Sequence, residues 1–253
     1  MLLLAGHSPW IAMLCAVLAG LLAGTVTGLL HVLLGIPPIL AGILTQMVLW
    51  SVNLKILGKA NQALPARSID VLLTQMNIPA ALPVLLGWAA VLVTLLVLFF
   101  STELGCALRA TGCNPVMSRA QGVNTGLMKV IGLALSNAVV AMSGGLLCQY
   151  QGYTDVNMGR GAVVIGLAAV VIGQAVLGRH GGHMAAQLGG VVLGAVIYYI
   201  VYQVIIFAGF DTDLLKMFSA VVVAVFLGVP HVRYQIRTNS RIKKGGSRHA
   251  ENA

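Results

Sequence analysis

No aspartate or glutamate falls within any long apolar run of this chain. All six acidic residues (Asp70, Glu103, Asp155, Asp211, Asp213 and Glu251) sit in the gaps between runs or in the tail. Basic residues enter a run only near its start, as Lys129 and Lys216 do. Runs of this kind cross a bilayer as helices, because hydrocarbon admits a backbone only when its polar groups bond to one another. The same pattern bears on energy. Ion-coupled carriers keep a carboxylate or its partner at membrane depth, so this chain is expected not to power itself.

The chain's 253 residues are 58% hydrophobic and 8% charged, with a mean hydropathy of +0.94. A soluble core of that size could not cover so much apolar surface, so lipid is the solvent for much of it. The fold class expected is all-α, a polytopic transmembrane helical bundle of about seven hydrophobic segments. They lie near 10–34, 38–54, 80–101, 125–148, 161–178, 184–207 and 214–230. The second is short and follows Pro37-Pro38, so it reads as a tilted span, a half-helix or a re-entrant piece. The first is too long and Gly-rich for a signal peptide and has no basic region before it. The membrane domain is thus 1–230, followed by a basic tail, 231–253.

That tail carries Arg233, Arg237, Arg241, Lys243, Lys244 and Arg248 against Glu251. Lysine and arginine mark cytoplasmic loops, so the C-terminus is placed in the cytoplasm. Counting back puts the loops with Arg109, Arg119 and Arg179 inside, and Asp155, Asp211 and Asp213 outside. Loop 55–78 breaks the rule: Lys55, Lys59 and Arg67 would lie outside. A re-entrant second segment would remove the conflict. The formal +9 charge is mostly this bias; an anionic-lipid contact for the tail is preferred to a nucleic-acid patch.

Gly20, Gly24 and Gly28 recur every four residues, as do Gly190 and Gly194. Small residues at that spacing let two helices approach closely in lipid, although glycine is also common in membrane helices. Loop 102–124 is the most structured part outside the membrane. Asn114 suits an N-cap, Pro115 a first helical position and Gly122 a C-terminal stop. A helix of about two turns follows, with Val116, Met117 and Ala120 on one side and Ser118, Arg119 and Gln121 elsewhere. Its apolar face can meet a partner, lie on the membrane or cap its own bundle.

Polar side chains within the spans include Thr25, Thr27, Thr45, Gln46, Asn53, Ser136, Asn137, Ser143 and Gln203. They should face the bundle interior. Gln46 and Asn53 share a helix face, and Ser136 and Asn137 sit midway along the fourth run. A pathway for a polar solute could use these four; interhelical hydrogen bonding is the plainer reading. Asp211 and Asp213 can cap the last span.

The sequence holds no P-loop, HExxH or GxSxG. His180 and His183 lack a third ligand, and Cys15, Cys106, Cys113 and Cys148 are scattered without CxxC. Neither a metal nor another cofactor is expected, and no enzymatic activity. What remains is a channel, or the membrane half of a machine driven by another subunit.

From loop 102–124 onward the sequence resembles the permease subunits of ABC importers of the branched-chain amino acid and ribose type. The matching stretches are Gly105, Ala107–Pro115, Ala120–Asn124, Lys129, Ser136-Asn137, Ser143–Gly145, and the runs 161–178 and 189–201. Residues 21–61 resemble a subgroup of tryptophan- or tyrosine-type uptake permeases. The resemblance implies a bacterial inner-membrane protein with three partners: a second permease subunit, expected to be another copy, an ABC ATPase, and an extracytoplasmic solute-binding protein. It places the ATPase-coupling loop at Arg109, Thr111, Gly112, Asn114, Val116, Met117, Arg119, Ala120 and Gly122. Val116, Met117 and Ala120 would dock, with Arg109 and Arg119 as polar contacts. Such permeases begin with a further hydrophobic segment ahead of the Trp10 run, which the resemblance implies is missing here. The rival readings are an ion-coupled secondary carrier and an inactive or structural membrane protein.

Overall fold

The computed structural model describes residues 2–64, 78–159, 162–177, 184–207 and 209. They divide into two compact units that meet at Met158 and Gly159. The seventh segment, the basic tail, Asp211, Asp213, His180, His183 and Arg67 lie outside the described residues.

The first unit holds α1 (Pro9–Leu33), α2 (Pro38–Leu57), β1 (Asn61–Ala63), α3 (Ile78–Ser101), α4 (Glu103–Cys113), α5 (Pro115–Ala120), α6 (Thr125–Gln151) and β2 (Tyr153–Asp155). Four of these, α1, α2, α3 and α6, are long and apolar enough to cross a membrane. Their leucine-, valine- and alanine-rich runs leave many large side chains exposed, such as Leu22, Ile39, Val48, Leu95 and Val140. Lipid takes the place of a protein core around such helices.

The glycine stripe of α1 finds its partner in α6. A Cβ added at Gly24 would lie 2.7 Å from the Cα of Ala134 and would touch the Leu133 carbonyl. One at Gly28 would lie 2.8 Å from the Cα of Val130, and one at Gly20 would strike Ala141 and the Asn137 carbonyl. Higher numbers in α1 meet lower numbers in α6, so the two helices run antiparallel. The backbones touch, which only glycine permits at this distance.

Direction then follows along the chain. α1 ends where α6 begins, and α2 turns back at once, with His31 Nδ1 2.7 Å from the Ile36 carbonyl across the turn. Thr27 and Thr45 bond at 2.9 Å between α1 and α2, both buried. At the other end β1 pairs antiparallel with β2, Asn61 opposite Asp155 and Ala63 opposite Tyr153. Ala81, near the start of α3, clusters there with Met13 and Leu146. The unit thus has a ribbon end (β1–β2) and a loop end (α4–α5), and its four long helices alternate in direction between them.

Of the three readings of the second segment, the span is the one that this geometry matches. It continues past 54 as an unbroken 20-residue helix, and its ends lie at opposite ends of the unit, so it is a full traverse and not a re-entrant piece. Lys55 and Lys59 therefore sit at the ribbon end, opposite Arg109 and Arg119. Lys55 falls in the last turn of α2, where a cation complements the helix dipole, and Gly58 closes the helix at φ +72°.

The second unit is a helical hairpin of α7 (Ala162–Leu177) and α8 (Met184–Phe207). Here Gly173 abuts the Gly190 carbonyl, and Gly194 abuts the Ala169 carbonyl, so this pair is also antiparallel with touching backbones. Ile172, Ala168 and Tyr198 fill the seam. α8 is long enough to span; α7 is a shorter apolar helix. The described residues thus supply five candidate spans and this shorter helix.

Candidate functional site

The loop end is built from α4, α5 and the first turn of α6. At Ser101-Thr102 the chain leaves α3 and turns sharply. Thr102 Oγ1 donates to the Phe99 carbonyl at 2.6 Å and accepts from the Gly105 amide at 3.3 Å, capping α4. Gly105 sits against the Phe99 and Phe100 backbone, and Leu108 lies over Gly132 of α6. With Thr111, which is buried and donates to the Ala107 carbonyl at 2.8 Å, these residues make the inner face of α4. Its outer face carries Leu104, Cys106, Arg109, Gly112 and Cys113, all exposed. α4 was not anticipated from sequence. The Thr102-Glu103 pair was its one signal: an N-cap followed by an acid in the first turn.

Asn114 joins the two short helices. Its backbone ends α4, and its Oδ1 accepts from the Val116 and Met117 amides, both at 3.1 Å. Pro115 occupies the first position of α5, where a missing N–H is no loss. Gly122, at φ +84°, ends the turn as its spacing predicted.

Ser118 is the buried residue of α5; Arg119, and Gln121 at the C-cap, are exposed like the apolar side chains. Val116 is 79% exposed and Met117 59%, and Ala120 is exposed beside them. Ser118 is buried and donates to the Asn114 carbonyl at 3.0 Å. Arg119 turns back onto its own chain: its Nη2 donates to Thr125 Oγ1 at 3.1 Å. A short capped helix therefore presents two large apolar side chains outside the spans, on a base of satisfied hydrogen bonds.

The four polar residues named for a pathway are not drawn together. Gln46 and Asn53 are exposed on α2, and their side chains make no hydrogen bond to a described residue. Ser136 is exposed on α6. Asn137 is half-buried against the α1 glycines, and its amide donates to the Leu133 carbonyl at 2.9 Å. Thr27 and Thr45 bond one another between spans, while Thr25, Ser51 and Thr94, like Asn137, bond back to carbonyls of their own helices. Among the described residues no group of three His, Cys, Asp or Glu side chains could hold a metal ion.

Residues 1–230 match the family described as branched-chain amino acid transport system, permease component. Over 239 residues the chain is 35% identical to the tyrosine transport system permease protein of Clostridioides difficile, covering 94% of this chain and 79% of that protein. Over 199 residues it is 32% identical to the autoinducer 2 import system permease protein LsrC of Escherichia coli, covering 75% of this chain and 55% of that protein. No solved structure matches.

Proposed function

The chain belongs to the branched-chain amino acid transport system permease family, and from that premise we propose that it is the membrane-spanning subunit of an ABC-type importer for an amino acid. ATP hydrolysis takes place on a separate chain, and a solute-binding protein delivers cargo from outside. The loop end faces the cytoplasm of a bacterial cell and the ribbon end faces outward, in a complex with a second copy of this chain. The basic tail then lies inside. Lys55 and Lys59 lie outside against the usual bias, with the α2 dipole favouring the first.

The observation that carries this reading is the exposed apolar face of α5. Val116 and Met117 project from a helix that Asn114 caps and Ser118 and Arg119 hold in place. Burial of two such side chains against a partner contributes about 1.5–3 kcal/mol each. Carboxylates are absent from the apolar runs, which leaves proton or sodium coupling without its usual group. Energy then has to enter from outside the bilayer, and α5 offers the contact. Arg109, Gly112, Val116, Met117 and Ala120 form the docking surface, with Thr111, Asn114 and Gly122 supporting it. Gln46, Asn53 and Ser136 remain candidates for the solute path. For the solute, L-tyrosine is the first to test, since one relative belongs to a tyrosine transport system.

The test is co-purification of tagged, detergent-solubilised protein from its native host. The wild type brings down an ATPase subunit and Met117→Asp does not, at unchanged helicity and oligomeric size. A folded, dimeric wild type that captures no ATPase overturns the reading.

A further inference from the structure

Arg119 lies exposed on the loop helix, where a partner-facing cation would be expected, yet one nitrogen of its guanidinium reaches back to its own chain. Its guanidinium donates to the hydroxyl of Thr125, the first residue of α6, which is buried at 2% exposure. Between α5 and α6 the chain passes through Gln121, Gly122, Val123 and Asn124. Four residues with a glycine at positive φ would by themselves make a hinge. Instead the turn is cross-braced. The Gly122 amide donates to the Arg119 carbonyl at 3.0 Å and the Val123 amide to the Ser118 carbonyl at 3.1 Å. The Arg119–Thr125 bond is the side-chain brace that spans the whole turn.

What lies beyond Thr125 gives the brace its consequence. Asn124 caps α6 through the Leu127 amide at 3.1 Å. α6 in turn lies backbone to backbone on α1 through Gly20, Gly24 and Gly28. A displacement of α5 that cannot be absorbed in the turn must therefore move α6 and α1 together.

Resting on the permease reading above, we infer that Arg119 and Thr125 form a strut that transmits movement of α5 into the α6–α1 pair, so that Arg119 is a positioning residue. A substitution that removes the strut leaves the docking face intact and disconnects it from the membrane helices.

Hydrogen exchange on the full chain in lipid nanodiscs, alone and with its co-purified ATPase, tests this. Thr125→Val keeps the shape and removes the acceptor; Arg119→Gln removes the charged donor. In the chain alone, each speeds exchange of the 122–127 amides roughly tenfold, the scale of one charge-assisted hydrogen bond. The double variant is no faster than either single one, and Thr125→Ser behaves as wild type. With the ATPase bound, all variants capture equal amounts of it. Added ATP changes exchange in both 115–120 and 125–151 of the wild type, but only in 115–120 of Thr125→Val. The inference is overturned if Arg119→Gln alone has an effect, if the two effects add, or if ATP reaches α6 equally in Thr125→Val. A wild type that captures no ATPase overturns the permease reading instead, while exchange in the chain alone still decides whether the brace exists.

Discussion

Replacing Gly24 with alanine should part α1 from α6. The new Cβ would lie 2.7 Å from the Ala134 Cα and 2.8 Å from the Asn137 Cβ. Carbon atoms rest at about 3.5–4.0 Å, so the helices must separate locally by roughly 1 Å. The obstacles include backbone, the Leu133 carbonyl and the Ala134 Cα, so no rotamer change relieves them. Overpacking of this kind costs about 1–3 kcal/mol, and in lipid no hydrophobic force holds the parted helices together. Against this stands a gain of at most about 1 kcal/mol from alanine's better helix propensity. Gly144→Ala separates the two terms. It lies on α6 with open space around it and receives only the propensity gain. Thermal unfolding in nanodiscs, followed by circular dichroism, should therefore place Gly24→Ala below Gly144→Ala by about 2 kcal/mol, on the order of 5 °C. If Gly24→Ala melts with or above Gly144→Ala, the α1 and α6 backbones are not in contact and the antiparallel arrangement built on them fails.

Three further outcomes follow from the same geometry. Asn114→Ala strips the cap from two amides of α5 and should cost about 0.5–2 kcal/mol locally, read as faster exchange at Val116 and Met117. Thr45→Val breaks the buried bond to Thr27 and should destabilise the first unit by about 0.6–1.7 kcal/mol, with Thr27→Val added on top costing little more, as measured by a double-mutant cycle. Gly194→Ala drives a methyl into the Ala169 carbonyl and within 2.6 Å of the Gly173 amide nitrogen; a fluorescence distance between labels on α7 and α8 should lengthen, and an unchanged distance would contradict the close hairpin.

The parts legible in the sequence are those whose signals are local. Asn114-Pro115 and Gly122 bracketed α5 because a cap, a fixed φ and a left-handed stop each act within a few residues. The glycine spacing of α1 announced a close contact. Its partner was harder to name, although Ala134, Ala138 and Ala141 line α6 with small side chains at helical spacing. α4 was hidden inside a polar, glycine-containing loop, where its short amphipathic pattern competes with turn chemistry. The ribbon pairs Gln62 with Thr154, and two three-residue strands so distant in sequence carry no local signal. The supposed pathway shows the limit most clearly. Helical spacing placed Gln46 with Asn53 and Ser136 with Asn137 on their own helices, yet packing turned Asn137 toward the glycine seam and left the others apart. Helix orientation about its own axis is set by neighbours, which periodicity in uniformly apolar runs does not reveal.

The most direct test of the energy source is uptake of radiolabelled amino acids, L-tyrosine first, into proteoliposomes holding this chain with its co-purified ATPase and solute-binding protein. Uptake that requires ATP, ignores a protonophore and is lost with Met117→Asp is the predicted result. Uptake by this chain without an ATPase, abolished by the protonophore, would show an ion-driven carrier and contradict the proposal that energy enters through α5.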